Sequence, residues 1–298
     1  MQQYNRLSFY NEIRRNKYQS FFLIFVVLFV LLALFYTIAL IFGGDYFWFI
    51  IIFGTIFSLI YVVGGYYKSA DLAIASVKAK KADEINYRQY HHLVEGISLA
   101  SGLPKPRLYV MESPQINAFA SGRDPKNAVI CVTTGTLEKL DKRELEGVLA
   151  HEMSHIANYD IRFMTLTAVL VGMIAVISEI FLRSLFWSSV AGGRDSKDNK
   201  NVVLMIVGII LAILAPLIVM LVQLAISRRR EYAADSSAVK FMRTPTGLIG
   251  ALKKIKSNQP MRVSGAVAPL FLAKPNKQRE LFQTHPPLEK RISRLERM

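Results

Sequence analysis

The chain has 298 residues, of which 52% are apolar, and its formal net charge is +15. This combination excludes an ordinary soluble domain and is typical of a chain whose apolar residues form bilayer-spanning stretches with basic flanks. Nucleic-acid binding is the competing interpretation of the positive charge, but the sequence has no basic and aromatic cluster of the expected kind, so we expect no nucleic-acid partner. With the single cysteine, Cys131, no internal disulfide can form.

Four apolar runs predict membrane-spanning helices. The first two, Phe21–Phe42 and Phe47–Val63, contain no charged residue, and the short glycine-containing link between them predicts a hairpin. The third run, Met164–Leu182, carries one charge at Glu179, and the fourth, Val202–Ile226, carries none. A buried core helix is the alternative for each run, above all for the second and third, which are shorter or charged.

Basic residues predict how these runs are oriented. They cluster before the first run, after the second and after the fourth, which is one side of the membrane if all four runs span it. The clusters are Arg6 to Lys17, Lys68 to Lys81 and Arg228 to Arg230. Because cytoplasmic loops carry an excess of lysine and arginine, we expect a multi-pass protein of the cell membrane, plasma or inner, with its polar parts in the cytoplasm.

The same pattern divides the chain into four parts. Residues 1–66 are expected to form an N-terminal cytoplasmic segment and a transmembrane hairpin, and residues 164–226 a second hairpin. The polar parts, residues 67–163 and 227–298, are expected to fold together into one cytoplasmic domain, which the second hairpin interrupts.

The first polar part contains helical and extended patterns. Asp83–Ala100 has the apolar spacing of a helix, and Thr136–Asn158 has that of a longer one. Arg107–Met111 and Ala128–Thr133 predict short strands, and Asn117–Ser121 is a candidate third strand. We therefore expect a small sheet beside several helices.

The longer helical pattern carries a His-Glu-X-X-His motif formed by His151, Glu152 and His155. Residues four apart lie on one face of a helix, so the two imidazoles can bind one Zn²⁺. Glu152 then lies beside them, where a carboxylate can activate water. Two histidines on a helix surface are the alternative interpretation.

A catalytic zinc needs a third protein ligand and an open position. Glu231 and Asp235 follow the fourth apolar run, four residues apart on a predicted helix. Glu231 can complete a site of two histidines and a carboxylate, and Asp235 can accept the other ring N–H of a ligand histidine. A solvated acidic pair that balances three arginines is the alternative, but the histidine motif favours the ligand interpretation.

The chain resembles the HtpX family of membrane-bound zinc metalloproteases, to which the CAAX prenyl proteases are more distantly related. The resemblance covers most of the chain. It rests on the histidine motif followed by Asn158 and Asp160, on the downstream stretch Glu231–Asp235, and on the late stretch Thr284–Pro287.

The resemblance implies roles for individual residues. The implied ligands of one Zn²⁺ per chain are His151, His155 and Glu231, and Glu152 is the implied general base. His285 is a candidate for stabilising the oxyanion, with a structural role as the alternative. An edge strand is implied to hold an extended substrate backbone by strand addition. Its residues are Asn117, Ala118, Phe119 and Ala120.

These observations predict an integral membrane zinc metalloendopeptidase. Its expected fold is mainly α-helical, with four transmembrane helices and a zincin-like α+β catalytic domain that contains a small sheet. The resemblance implies that its substrates are misfolded or damaged membrane proteins, as in membrane protein quality control. Two alternatives remain. One is a CAAX prenyl-type protease, although the architecture of that family usually has more spans than this chain. The other is a non-proteolytic zinc-binding membrane scaffold, although a scaffold could hold the metal by its ligands alone and would not need Glu152.

Overall fold

A computed structural model describes residues 9–42, 44–167, 228–257, 271–272 and 286–298, with the isolated residues 172, 179, 183, 208 and 209. These residues form two long helices and an α/β part with one four-stranded sheet. Most of the third and fourth predicted spans lies outside the described residues, and so does His285.

The elements are as follows in chain order. The helices are α1 (Phe9–Phe42), α2 (Tyr46–Ser76), α3 (Arg88–Ser101), α4 (Thr134–Lys139), α5 (Lys142–Ala157), α6 (described over 160–167), α7 (described over 228–242), α8 (Thr246–Ser257) and α9 (Leu288–Leu295). The strands are β1 (Lys80–Lys81), β2 (Arg107–Met111), β3 (Ala118–Gly122) and β4 (Ala128–Thr133).

Helices α1 and α2 contain the first two predicted spans and pack against each other as a hairpin. Both are long and apolar enough to cross a membrane. Large apolar side chains point outward from them, among them Phe21 and Phe25 on α1 and Trp48 and Phe49 on α2. An apolar surface of this extent is typical of contact with lipid. Helix α1 begins before the first apolar run, at Phe9, and α2 continues past the second run to Ser76.

The C-terminal end of α2 packs against the α/β part. Ile74 packs with Phe119 and Cys131 on one face of the sheet. Arg123, just after β3, donates from Nη1 to the backbone oxygen of Tyr67 over 3.2 Å and lies over its ring. The sheet is therefore held directly against the C-terminal end of α2.

The sheet has the strand order β1-β2-β4-β3, in which β2 and β4 are parallel and the outer pairs are antiparallel. Strands β2 and β4 have the predicted bounds, and β3 is shifted by one residue from the candidate third strand. β3 is an edge strand, as the resemblance implied. Strand β1 was not predicted, since the two exposed residues Lys80 and Lys81 have no strand pattern.

Two helix starts differ from the prediction. The longer helical pattern is broken at Leu140, because the Asp141 side chain accepts a hydrogen bond from Glu144 N and Glu144 bonds back to Asp141 N. This capping box starts α5 afresh, so the prediction of one continuous helix is wrong. Helix α3 begins at Arg88, since the Asp83 carboxylate holds the following backbone N–H groups in a turn.

Helix α5 crosses α8 at very short range. A Cβ atom added to Gly147 would lie 2.7 Å from Leu248 Cα, so the absence of a side chain there sets the separation of the two helices. On the remaining faces of α5, Val148, Leu149 and Met153 are buried in the main hydrophobic core. Such close packing on both sides keeps α5 rigid.

We expect Gly147→Ala to destabilise the protein by about 1–3 kcal/mol, because the added methyl group overlaps the α8 backbone. The measurement is the thermal unfolding midpoint of the full chain. The matched control is Gly96→Ala on α3, where an added Cβ meets no atom within 4 Å and where alanine should raise the midpoint slightly. Equal midpoints for the two variants would contradict the close crossing.

Candidate metal centre

Helix α5 places the two histidines of the motif side by side. His151 and His155 are 1% and 4% exposed, and their Nε2 atoms lie 3.2 Å apart. Residues four apart on a helix face the same side, so this pairing follows from the helix itself. Both rings therefore turn the same nitrogen toward one point in the interior.

Glu231 on α7 completes this cluster. Its Oε2 lies 3.5 Å from His151 Nε2, and its Oε1 lies 3.5 Å from His155 Nε2. In a tetrahedral zinc site with bonds of 2.0–2.1 Å, ligand atoms lie about 3.3 Å apart. The three side chains thus have the spacing and the donor types that a metal ion needs, and three protein ligands leave one position open.

A carboxylate also lies beside the other ring nitrogen, Nδ1, of each histidine. His151 Nδ1 lies 3.0 Å from Asp235 Oδ1, and His155 Nδ1 lies 3.0 Å from Asp160 Oδ2. An N–H at Nδ1 that donates to the carboxylate leaves the lone pair of Nε2 for a metal. Asp235 lies where the sequence predicted a partner for a ligand histidine.

The position of Asp160 depends on how α5 ends. The helix stops at Asn158, and Tyr159 adopts a left-handed backbone conformation with φ of 60°. This reversal starts α6 at Asp160 and turns its carboxylate back toward His155. Sequence reasoning included Asp160 only as part of a family pattern and assigned it no role.

Arg291 on α9 is a site residue that the sequence analysis missed. It is fully buried, and its guanidinium contacts Asp235 at 2.6 Å and Glu231 at 3.1 Å. In the sequence it is one of several basic residues near the C-terminus. The available signal was its helical spacing with Leu288 and Leu295, which places it on the inward face of α9.

Buried charges shift the pKa values of this cluster. Burial and the Arg291 guanidinium act to lower the pKa of His151, but hydrogen bonds to Asp235 and Glu231 outweigh them and raise it to about 9. Burial raises the pKa of Glu152 above its usual range, although the two histidines act in the opposite direction. Both shifts belong to the protein without a metal.

Glu152 lies between the metal cluster and the edge strand. It is 2% exposed, and its carboxylate accepts a hydrogen bond from the backbone N–H of Ala120. Glu152 therefore interacts with the side chains of the metal cluster and with the edge of β3. The general base that the resemblance implied is thus next to the strand that it implied for substrate.

The four predicted residues of the edge strand divide into two pairs. Asn117 accepts a hydrogen bond from Thr133 N, so Asn117 and Phe119 turn their backbone groups toward β4. Ala118 and Ala120 turn theirs outward. The Ala118 oxygen already accepts a hydrogen bond from Leu272 N over 2.9 Å. Ala120 is therefore the outward-facing residue next to Glu152.

The profile of peptidase family M48 matches residues 84–298, which include the histidine motif, Glu231 and Arg291. The chain belongs to peptidase family M48. A curated relative named Protease HtpX homolog, from Caldanaerobacter subterraneus subsp. tengcongensis, is 45% identical over 280 residues and covers 91% of this chain and 92% of the relative. The homologue of the same name from Dictyoglomus thermophilum is 41% identical over 298 residues and covers 98% and 95%.

The predicted membership of the HtpX proteases is confirmed by these relatives. The chain is a membrane metallopeptidase, a hydrolase whose substrates are proteins. A solved structure, S. mikatae Ste24p, is 19% identical, covers 96% of this chain and 67% of its own, and has a TM-score of 0.49.

We expect Arg291→Met to lower the free energy of unfolding of the metal-free protein by about 3–5 kcal/mol, because it leaves the buried carboxylates of Asp235 and Glu231 without their guanidinium. Thermal unfolding in the presence of a chelator measures this loss. Arg297→Met is the control, because Arg297 is exposed on the turn after α9. If both variants unfold at the wild-type temperature, Arg291 does not neutralise the site.

Proposed function

We propose that this chain is a zinc metalloendopeptidase that binds one Zn²⁺ through His151, His155 and Glu231. The observation that supports it best is the convergence of two imidazole nitrogens and a carboxylate at 3.2–3.5 Å, with Glu152 beside them. Two histidines and one carboxylate form a donor set that favours zinc and leaves a position open for catalysis.

Glu152 is the proposed general base. Zinc bound at this site would supply Lewis acidity, which lowers the pKa of water and polarises a carbonyl group. Glu152 takes the proton from water and later passes it to the leaving amine. His285 remains a proposed oxyanion donor.

The proposed substrate strand pairs with β3 at Ala120. The Ala120 N–H already donates to Glu152, so a peptide that bonds to the Ala120 carbonyl oxygen has its backbone beside the general base. The Ala118 oxygen is bonded to Leu272 N, which limits pairing in that direction. Asn117 and Phe119 would act by holding β3 against β4 rather than by touching the peptide.

The topology and the substrates are also proposals. We propose four spans in two hairpins. Residues 1–66 form an N-terminal cytoplasmic segment and the first hairpin, and residues 164–226 form the second. Residues 67–163 and 227–298 form one zincin-like domain on the cytoplasmic face of the cell membrane. The basic clusters support this orientation. The contact between the sheet and the end of α2 supports a site close to the bilayer. This position favours substrates in or near the bilayer, and the resemblance to the HtpX proteases supports misfolded or damaged membrane proteins among them.

We expect Glu152→Gln to keep one bound zinc per chain and to slow the cleavage of casein by about 10²–10⁴-fold, because the amide cannot accept the proton. The assay uses the detergent-purified chain with zinc and with chelator. Glu146→Gln is the matched control, since it makes the same change on the same helix away from the cluster.

Full activity of the Glu152→Gln variant would refute the assigned base. Absence of cleavage in every sample, with one zinc bound, would instead favour a non-proteolytic scaffold or a narrower substrate such as a prenylated peptide.

A further inference from the structure

A series of contacts connects His155 with the first membrane helix. One oxygen of Asp160 lies 3.0 Å from His155 Nδ1, and the other lies 3.5 Å from Nε of Arg230. The Arg230 guanidinium also donates from Nη2 to Oε1 of Gln19 over 2.7 Å. Gln19 is the second residue of Tyr18–Leu40, the stretch of α1 that is apolar enough to span a membrane.

Arg230 has little freedom at this junction. It is 4% exposed, and its guanidinium lies over the ring of Phe163 at 4.1 Å. Phe163 in turn packs with Leu23 of α1 in a separate hydrophobic cluster. A short hydrogen bond from a charged donor is among the strong ones, so Gln19 helps to fix the direction in which Arg230 faces Asp160.

The other histidine, His151, is held by different contacts. His151 Nδ1 meets Asp235, whose other contact is Arg291 of α9. All three lie within the α/β part and its helices. Among the residues that the structure describes, the contacts that hold His155 thus extend to a membrane helix, whereas those that hold His151 stay within the α/β part and its helices. The packing of α1 therefore affects the support of one of the two imidazoles, that of His155.

We propose that Gln19 is a positioning residue of the metal centre. Through Arg230 it holds the Asp160 carboxylate against His155, so the docking of the first membrane helix raises the affinity of the site for its metal. Partners of ligand histidines orient the ring and raise its basicity. The inference rests on the proposed function in one respect, namely that His155 binds the metal.

The test measures the zinc dissociation constant of the full chain in lipid nanodiscs, by competition with a chromophoric chelator. We expect Gln19→Met, which keeps the length but removes the acceptor, to weaken zinc binding by about three- to tenfold. This is less than the about 10–100-fold expected for Asp160→Asn, which touches the ligand directly. Gln19→Glu restores an acceptor for Arg230 and should bind zinc as the wild type does. The control Gln89→Met makes the same change on the exposed face of α3.

A double-mutant cycle tests whether Gln19 acts through Asp160. In the Asp160→Asn background, Gln19→Met should weaken zinc binding no further. The inference is overturned if Gln19→Met binds zinc like the wild type, even with a lower unfolding midpoint, or if Gln19→Glu fails to rescue. It is also overturned if the methionine has its full effect in the Asp160→Asn background. A wild-type chain that binds no zinc would refute the proposed function itself.

Discussion

The balance of buried charge around His151 and His155 is the constraint on which the site depends. Four carboxyl groups at most 2% exposed surround the histidines, together with two guanidinium groups at most 4% exposed. These residues are Glu152, Asp160, Glu231, Asp235, Arg230 and Arg291. When ionised, they carry two more negative than positive charges, and a buried net charge is strongly unfavourable. A divalent cation between neutral histidines would balance them. Without it, the carboxylates overcome the effects of burial and Arg291 and raise the pKa of His151 to about 9.

The fold gathers these groups from distant parts of the chain. Helix α5 supplies both histidines and Glu152, and the turn at Tyr159 adds Asp160 a few residues later. The remaining carboxylates come from α7, and Arg291 comes from α9 near the C-terminus. The close crossing of α5 and α8 and the core behind α5 keep the first group fixed. The sheet adds Ala120 at its edge, and the sheet is itself fixed to the end of α2.

The sequence predicted the parts of the site that depend on local spacing. His151 and His155 share a face because they are four apart on a helix, and Glu231 with Asp235 repeats that spacing on α7. Strands β2 and β4 were predictable because both are short, mostly apolar segments, and because turn residues precede β4. The role of Arg291 could not be predicted, since a basic residue in a basic segment is ordinarily solvated. Its burial depends on packing against carboxylates that are distant in the sequence. For the same reason no local pattern indicated that Gln19 meets Arg230.

The break before α5 is the opposite case. A local signal for a helix start was present in the sequence, but the apolar periodicity outweighed it in the prediction. Asp141 and Glu144 have the capping-box spacing, yet the apolar periodicity runs on through Leu140 and favoured one helix. The apolar runs also did not show that α1 begins well before Phe21 or that α2 continues beyond Val63, because these helices extend into polar residues. Helix ends thus follow capping and solvation, whereas the existence of a helix follows apolar spacing.

The most direct test of this account is X-ray absorption at the zinc edge on the full chain loaded with one equivalent of zinc. The account predicts two imidazole nitrogens at about 2.0–2.1 Å together with oxygen ligands and no sulfur, and the loss of one imidazole in His155→Ala. A shell of six oxygens without imidazole, or the same spectrum for the His155→Ala chain, would contradict a metal centre built on these two histidines.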